Sequence, residues 1–197
     1  MTVLGYLCGA IPVGVLVGRL WGFDPRMVGS GNIGATNVTR AGGKFPGLVT
    51  FMADVVKGFA PVEFSRFALG LGPAGLALVA FATFVGSIAS VFLRFRGGRG
   101  VATSLGVWLA LAPKPIGIVA AVFGVGLLLS RIVSVASLLG ALALPPTVAA
   151  FNCPPPYLLT AIIMTGIVLL RHSENIARLI RGEEPPITGA ATGSLRD

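Results

Sequence analysis

The chain has 197 residues, of which 54% are hydrophobic and only 11% charged. A soluble domain of this length would carry about 25% charged residues, so the composition excludes a water-soluble globular protein and points to a polytopic membrane protein. The formal net charge is +8, and the basic residues gather in a few short loops. That pattern suits anionic lipid surfaces and acidic substrates. It does not suit nucleic acid, because the aromatic residues fall in apolar segments and no basic–aromatic stripe exists.

The first apolar run, Thr2 to about Leu20, has no basic leader and no small-residue cleavage site after it. It is expected to be a retained membrane helix, bent at Gly9 and Pro12, rather than a signal peptide. A polar loop follows to about Phe45. Further apolar segments run roughly over 46–65, 72–93, 101–112, 116–130, 133–151 and 156–170, which makes seven in all. A bilayer core needs about 20 helical residues, so 101–112 and 116–130 are short. They are either half-helices meeting at Pro113-Lys114-Pro115 or spans where the bilayer is thin. The predicted fold is an all-α polytopic membrane protein with seven transmembrane helices, over a single domain covering 1–197. The residues from about Glu183 onward read as a partly disordered tail.

Charge sets the orientation. Arg26, Arg40 and Lys44 lie in the first loop, Arg94, Arg96 and Arg99 in the third, Arg131 after the fifth segment, and Arg171, Arg178, Arg181 and Arg196 in the tail. The other side carries only Arg66 and Lys114. The positive-inside rule then places the N-terminus outside and the C-terminus in the cytoplasm.

This topology puts three polar clusters on one membrane face. The first is Val28 to Arg40, VGSGNIGATNVTR. Its glycines let backbone N–H groups converge, its hydroxyl and amide side chains add donors, and Arg40 supplies the fork geometry that suits phosphate. The second, Arg96 to Thr103, has three glycines leading into a helix N-terminus beside two arginines, an arrangement that attracts anions. The third is Arg171 to Leu179. There a continuing last helix would align His172, Asn175 and Leu179, and Glu174 would pair with Arg178 in a solvated ion pair. Within the membrane, Asp54 and Lys57 stand three residues apart on one helix and are expected to brace it near the site. Cys8 and Cys153 are isolated and His172 is the single histidine. No disulfide framework, metal site or cofactor requirement is legible.

Together these stretches resemble the bacterial PlsY family of acyl-phosphate:glycerol-3-phosphate acyltransferases. The matching segments are GSGNIGATNVTR (29–40), DVVKG (54–58), GGRGVAT (97–103), RIVSVAS (131–137) and RHSENIARLIRGEE (171–184). The resemblance implies seven membrane helices with an external N-terminus and a cytoplasmic active site. It implies transfer of an acyl group from acyl phosphate to the 1-hydroxyl of glycerol-3-phosphate, giving lysophosphatidic acid and phosphate. The setting would be the bacterial inner membrane, among its lipids, with the protein acting as a monomer.

Carried over by position, Ser30, Arg40, Arg99, His172 and Asn175 would be catalytic. Gly31, Asn32, Thr36, Gly97, Gly98 and Gly100 would bind substrate, and Ser134 and Ser137 would border the acyl or phosphate channel. Within the family the substrate's own phosphate is thought to take the proton. Two positions depart from the pattern: Arg99 stands where the family carries lysine, and Ser87 stands where it carries histidine. No Ser-His-Asp grouping appears, and Ala177 occupies the place an acid would need in the H-x4-D signature of acyl-CoA-dependent acyltransferases. The competing class is a transporter for a phosphorylated anion, which would show repeated halves and midplane-broken helices; a catalytically silent scaffold is the other alternative.

Overall fold

The structure is a computed structural model and describes residues 1–187. Its described residues form helices without a strand. Each of the seven apolar segments is helical. The first breaks in two at Ile11-Pro12, giving α1 (Thr2–Ala10) and α2 (Val13–Leu20). The others give α4 (Lys44–Leu69), α5 (Pro73–Ile88), α6 (Val101–Leu111), α7 (Pro113–Ser130), α8 (Val133–Ala150) and α9 (Pro155–Arg171). Two short helices lie outside the apolar runs, α3 (Ala35–Gly42) and α10 (Ser173–Ile180).

Five helical segments are long and apolar enough to cross a membrane, counting α1–α2 as one, and a sixth if α9 and α10 form one broken span. The chain is a multi-pass membrane protein. The helix α7 reaches full length by starting at Pro113, a residue tolerated in a first helical turn because its missing N–H would be unpaired there anyway. The helix α6 is too short to span alone: 11 residues rise about 17 Å.

Small residues let the helices approach closely, as membrane packing requires. At the α4–α6 crossing a side chain on Gly106 would meet the Val55 carbonyl, and one on Gly58 the Thr103 carbonyl. At the α1–α5 crossing Gly9 and Gly86 face the Thr83 and Tyr6 carbonyls in the same way. The wholly buried Trp108, Phe84 and Met164 fill the space between α5, α6 and α9.

Prolines inside helices free carbonyls that side chains then satisfy. Pro145 cannot donate to Ala141, and the Thr165 hydroxyl donates to that carbonyl at 2.8 Å, tying α9 to α8. Pro61 releases the Lys57 carbonyl, which accepts from the Cys8 thiol at 3.6 Å and links α4 to α1.

Candidate active site

The loop after α2 is organised by Asn37, which is buried on α3. Its amide donates to the carbonyls of Pro25 (2.6 Å) and Val28 (3.0 Å), and its oxygen accepts from the Ser30 N–H at 3.1 Å. A second internal bond joins the Gly31 N–H to the Val28 carbonyl, 3.1 Å away. The loop's N–H groups at Ser30 and Gly31 are therefore spent on folding the loop itself. The same holds in the second cluster, where the Gly97 and Gly98 N–H groups donate to Ile88 and Ser87 at 3.2 and 3.0 Å. The expectation that these glycines supply the anion cradle needs correction.

Donors at the cavity come from helix starts: that of α6, as its glycine-led N-terminus leads one to expect, and those of α3 and α8 besides. The first turns of α3 (Gly34, Ala35, Thr36), α6 (Val101, Ala102, Thr103) and α8 (Val133, Ser134) border one cavity of about 360 Å³. The N–H groups of a helix's first turn have no partner within the helix and carry partial positive charge. Three such ends on one cavity make a strong anion site. Gly100 serves the second of them by taking the left-handed conformation (φ 77°) at the cap of α6, where a side chain would strike Phe84.

Side chains complete the lining. From the first cluster the cavity receives Ser30, Asn32, Thr36 and Arg40, and from the second Gly98, Arg99 and Gly100. Ser134, Ser137 and His172 enter from the later helices. Gly31, Gly97 and Asn175 do not line it. The first two are held in backbone turns, and Asn175 lies behind the wall at 1% exposure. Burial lowers the Arg40 and Arg99 guanidiniums from their ordinary value, with the Glu184 carboxylate pulling the other way. Both stay charged, so the site holds two partly desolvated cations.

The third cluster folds differently from the expected continuous helix. The chain turns by 56° at His172, between α9 and α10. The break buries the His172 ring at 1% exposure and puts its Nδ1 2.8 Å from the Val168 carbonyl. Because a carbonyl only accepts, Nδ1 carries the proton, and Nε2 is the acceptor of the neutral ring. The expected Glu174–Arg178 pair is absent among the described residues. Arg178 Nε donates to Glu184 Oε2 at 2.6 Å, while Glu174 stays exposed.

Glu184 is one of the residues that sequence reasoning missed, because 183 onward read as tail. Residues 183–187 instead lie against the site, and the rest of that predicted tail, 188–197, is outside the described residues. Ser87 also lines the cavity. Its hydroxyl donates to Phe84 at 2.6 Å and its carbonyl takes the Gly98 N–H. It thus anchors the second loop through its backbone, a task independent of which side chain stands there. Arg171 steadies the same loop from the other side by donating to the Gly97 and Gly98 carbonyls at 3.0 and 3.1 Å.

A second, apolar cavity of about 150 Å³ lies beside the first and shares Phe51, Val101, Phe123 and Ser137 with it. A donor-lined chamber adjoining an apolar one suits a molecule with a phosphorylated head and a hydrocarbon chain.

The family model described as glycerol-3-phosphate acyltransferase matches residues 1–182. The chain belongs to the glycerol-3-phosphate acyltransferase family. A glycerol-3-phosphate acyltransferase of Rubrobacter xylanophilus is 46% identical over 194 residues, covering 98% of this chain and 96% of that one. One of Caulobacter vibrioides is 43% identical over 185 residues, covering 93% and 84%. Among solved structures, the glycerol 3-phosphate form of the integral membrane acyltransferase PlsY superposes with a TM-score of 0.90 at 37% identity, covering 94% of this chain and 92% of that one. The lysophosphatidic acid form of PlsY gives 0.88 at 36%, with the same coverage. As a member of this family the chain is an acyltransferase of phospholipid synthesis, and the resemblance drawn from its motifs holds along the whole matched length.

Proposed function

We propose that the 360 Å³ cavity is where an acyl group passes from acyl phosphate to the 1-hydroxyl of glycerol-3-phosphate. The observation that carries this reading is the convergence of three helix N-termini and two guanidiniums on one chamber that shares a wall with an apolar one. Two phosphorylated molecules need that much positive potential, and the acyl chain of one of them needs the apolar extension. The forms of PlsY solved with glycerol 3-phosphate and lysophosphatidic acid support an acceptor and a product of this kind.

Acyl phosphate is a mixed anhydride, so its carbonyl is already activated. The protein's work is to align the two molecules and to stabilise charge as it develops. In the proposed step the glycerol hydroxyl oxygen attacks the carbonyl carbon, the bond from that carbon to the bridging oxygen breaks, and phosphate leaves with that oxygen and the bonding electrons. Arg40, Arg99 and the first turns of α3 and α6 hold the phosphoryl oxygens, with the Ser30, Asn32 and Thr36 side chains as further donors. The hydroxyl proton passes to a substrate phosphate oxygen. The protein groups that could compete for it are His172, through Nε2, Glu184, whose carboxylate already accepts from Asn175 and Arg178, and Asp54, whose carboxylate is held by Lys57.

The basic loops and the cavity share one end of the bundle, which supports a cytoplasmic active site in a bacterial inner membrane under the positive-inside rule. Seven crossings, with α6 lying within a locally thin region, and a monomeric protein surrounded by lipid belong to the same reading. Purified protein given palmitoyl phosphate and glycerol-3-phosphate should release inorganic phosphate, and should form no lysophosphatidic acid when palmitoyl-CoA replaces palmitoyl phosphate. Phosphorylated substrates that bind without turnover would favour a transporter.

A further inference from the structure

The segment after α10 returns along the cavity wall and is fastened at three points. The Glu184 carboxylate, its side chain 5% exposed, takes the Asn175 amide on one oxygen (2.5 Å) and Arg178 Nε on the other (2.6 Å). The Pro185 carbonyl accepts from Arg40 at 3.3 Å, and the Ile187 N–H donates to the Arg131 carbonyl at 2.8 Å. Glu184 and Ile187 both line the cavity.

Two consequences follow from the chemistry. A carboxylate only accepts, so it fixes the Asn175 side chain with its NH₂ toward Glu184, leaving the buried Oδ1 without a partner. Asn175 is therefore a constrained residue behind the wall, with one amide N–H committed to Glu184. The carboxylate also stands among Arg40, Arg99 and Arg178, whose mutual repulsion would spread them when no substrate is bound.

We infer that Glu184 is a positioning residue for glycerol-3-phosphate: it clamps the 183–187 strap along the cavity wall and holds Asn175, Arg178 and the Arg40 side of the chamber in register. This rests on the acyl-transfer reading given above. Acyl phosphate is also anchored by its hydrocarbon chain in the apolar cavity. Glycerol-3-phosphate has no such chain and depends on polar contacts alone, so the clamp acts chiefly on that substrate.

The test is steady-state kinetics of full-length E184A and E184Q in detergent, with each substrate varied in turn and thermal midpoints measured with and without glycerol-3-phosphate. In E184A, KM for glycerol-3-phosphate should rise about tenfold, the effect of losing one charge-assisted hydrogen bond, while KM for palmitoyl phosphate changes less than about threefold. E184Q keeps an acceptor for Asn175 and should fall between E184A and the unaltered protein. The thermal shift induced by glycerol-3-phosphate should shrink in the same order. Wild-type constants in E184A would overturn the proposal, as would equal losses for both substrates that track a lowered thermal midpoint. If E184A does not fold, E184Q with unaltered constants would overturn it. Unaltered protein that binds glycerol-3-phosphate without turnover would refute the transfer reading alone, with the clamp then judged on the thermal shifts. Unaltered protein that neither binds nor reacts would remove both.

Discussion

Lys57 on α4 donates to the main-chain carbonyl of Ile11, 2.9 Å away, at the point where Pro12 breaks the first helix. The same ammonium lies 2.7 Å from Asp54, and both side chains are nearly enclosed. The charged pair therefore ties α4 to the exposed backbone of the α1–α2 break as well as neutralising itself. It also forms part of the cavity wall. A charge pair inside the membrane thus braces the wall of the site.

Lys57→Met should lower stability by about 3 kcal/mol, since removing one partner leaves a buried carboxylate without its counterion. The double variant Asp54→Asn with Lys57→Met should recover part of that loss, while the Ile11 carbonyl keeps only its bond from the Val13 N–H. Thermal unfolding in detergent checks both. Equal midpoints for Lys57→Met and the unaltered protein would mean the pair contributes nothing.

Asn37→Ala should disorganise the first loop while leaving the membrane helices folded. It removes three hydrogen bonds from a buried side chain, each worth about 1 kcal/mol net. Because Ser30 and the start of α3 depend on that scaffold, turnover should fall well beyond what the change in thermal midpoint explains. Turnover and midpoint compared on the same preparation make the test.

The pH response follows from Glu184. Burial by itself would raise its carboxyl, but the hydrogen bonds from Asn175 and Arg178 outweigh that and hold it below its ordinary value. A group lowered on folding adds stability above its unfolded value and loses that contribution as pH falls through the folded one. The strap should thus stay fastened from neutral pH down through the ordinary carboxylate range, and release only below it. A thermal midpoint measured against pH should show this acid limb in the unaltered protein and a shallower one in Glu184→Gln.

The sequence made the apolar helices legible because their length and near-absence of charge leave little choice in a bilayer. It also brought together Ser30, Asn32, Thr36, Arg40, Arg99 and His172, all of which line one cavity. What it obscured was that α3 and α8 offer helix-start donors beside the expected ones of α6. A glycine-rich loop looks like a backbone cradle, yet the N–H groups of Ser30, Gly31, Gly97 and Gly98 are consumed within the loops. The helix α3 was hidden because ATNVTRAG has little apolar content, and Asn37, which organises the loop from that helix, was hidden with it. The partner of Arg178 was misread because spacing along a helix favours Glu174, whereas the chain turns back after Ile180 and offers Glu184. Such a return is set by long-range contacts that local pattern does not encode.

In the proposed transfer a permanent charge beside the first turn of α6 meets a phosphoryl group as the acyl bond breaks. Turnover of palmitoyl phosphate and glycerol-3-phosphate by folded Arg99→Ala measures this most directly. Turnover should fall about a hundredfold or more, the usual effect of removing one group aimed at developing charge, with a thermal midpoint close to that of the unaltered protein. A variant that is equally well folded and turns over at the unaltered rate would contradict it.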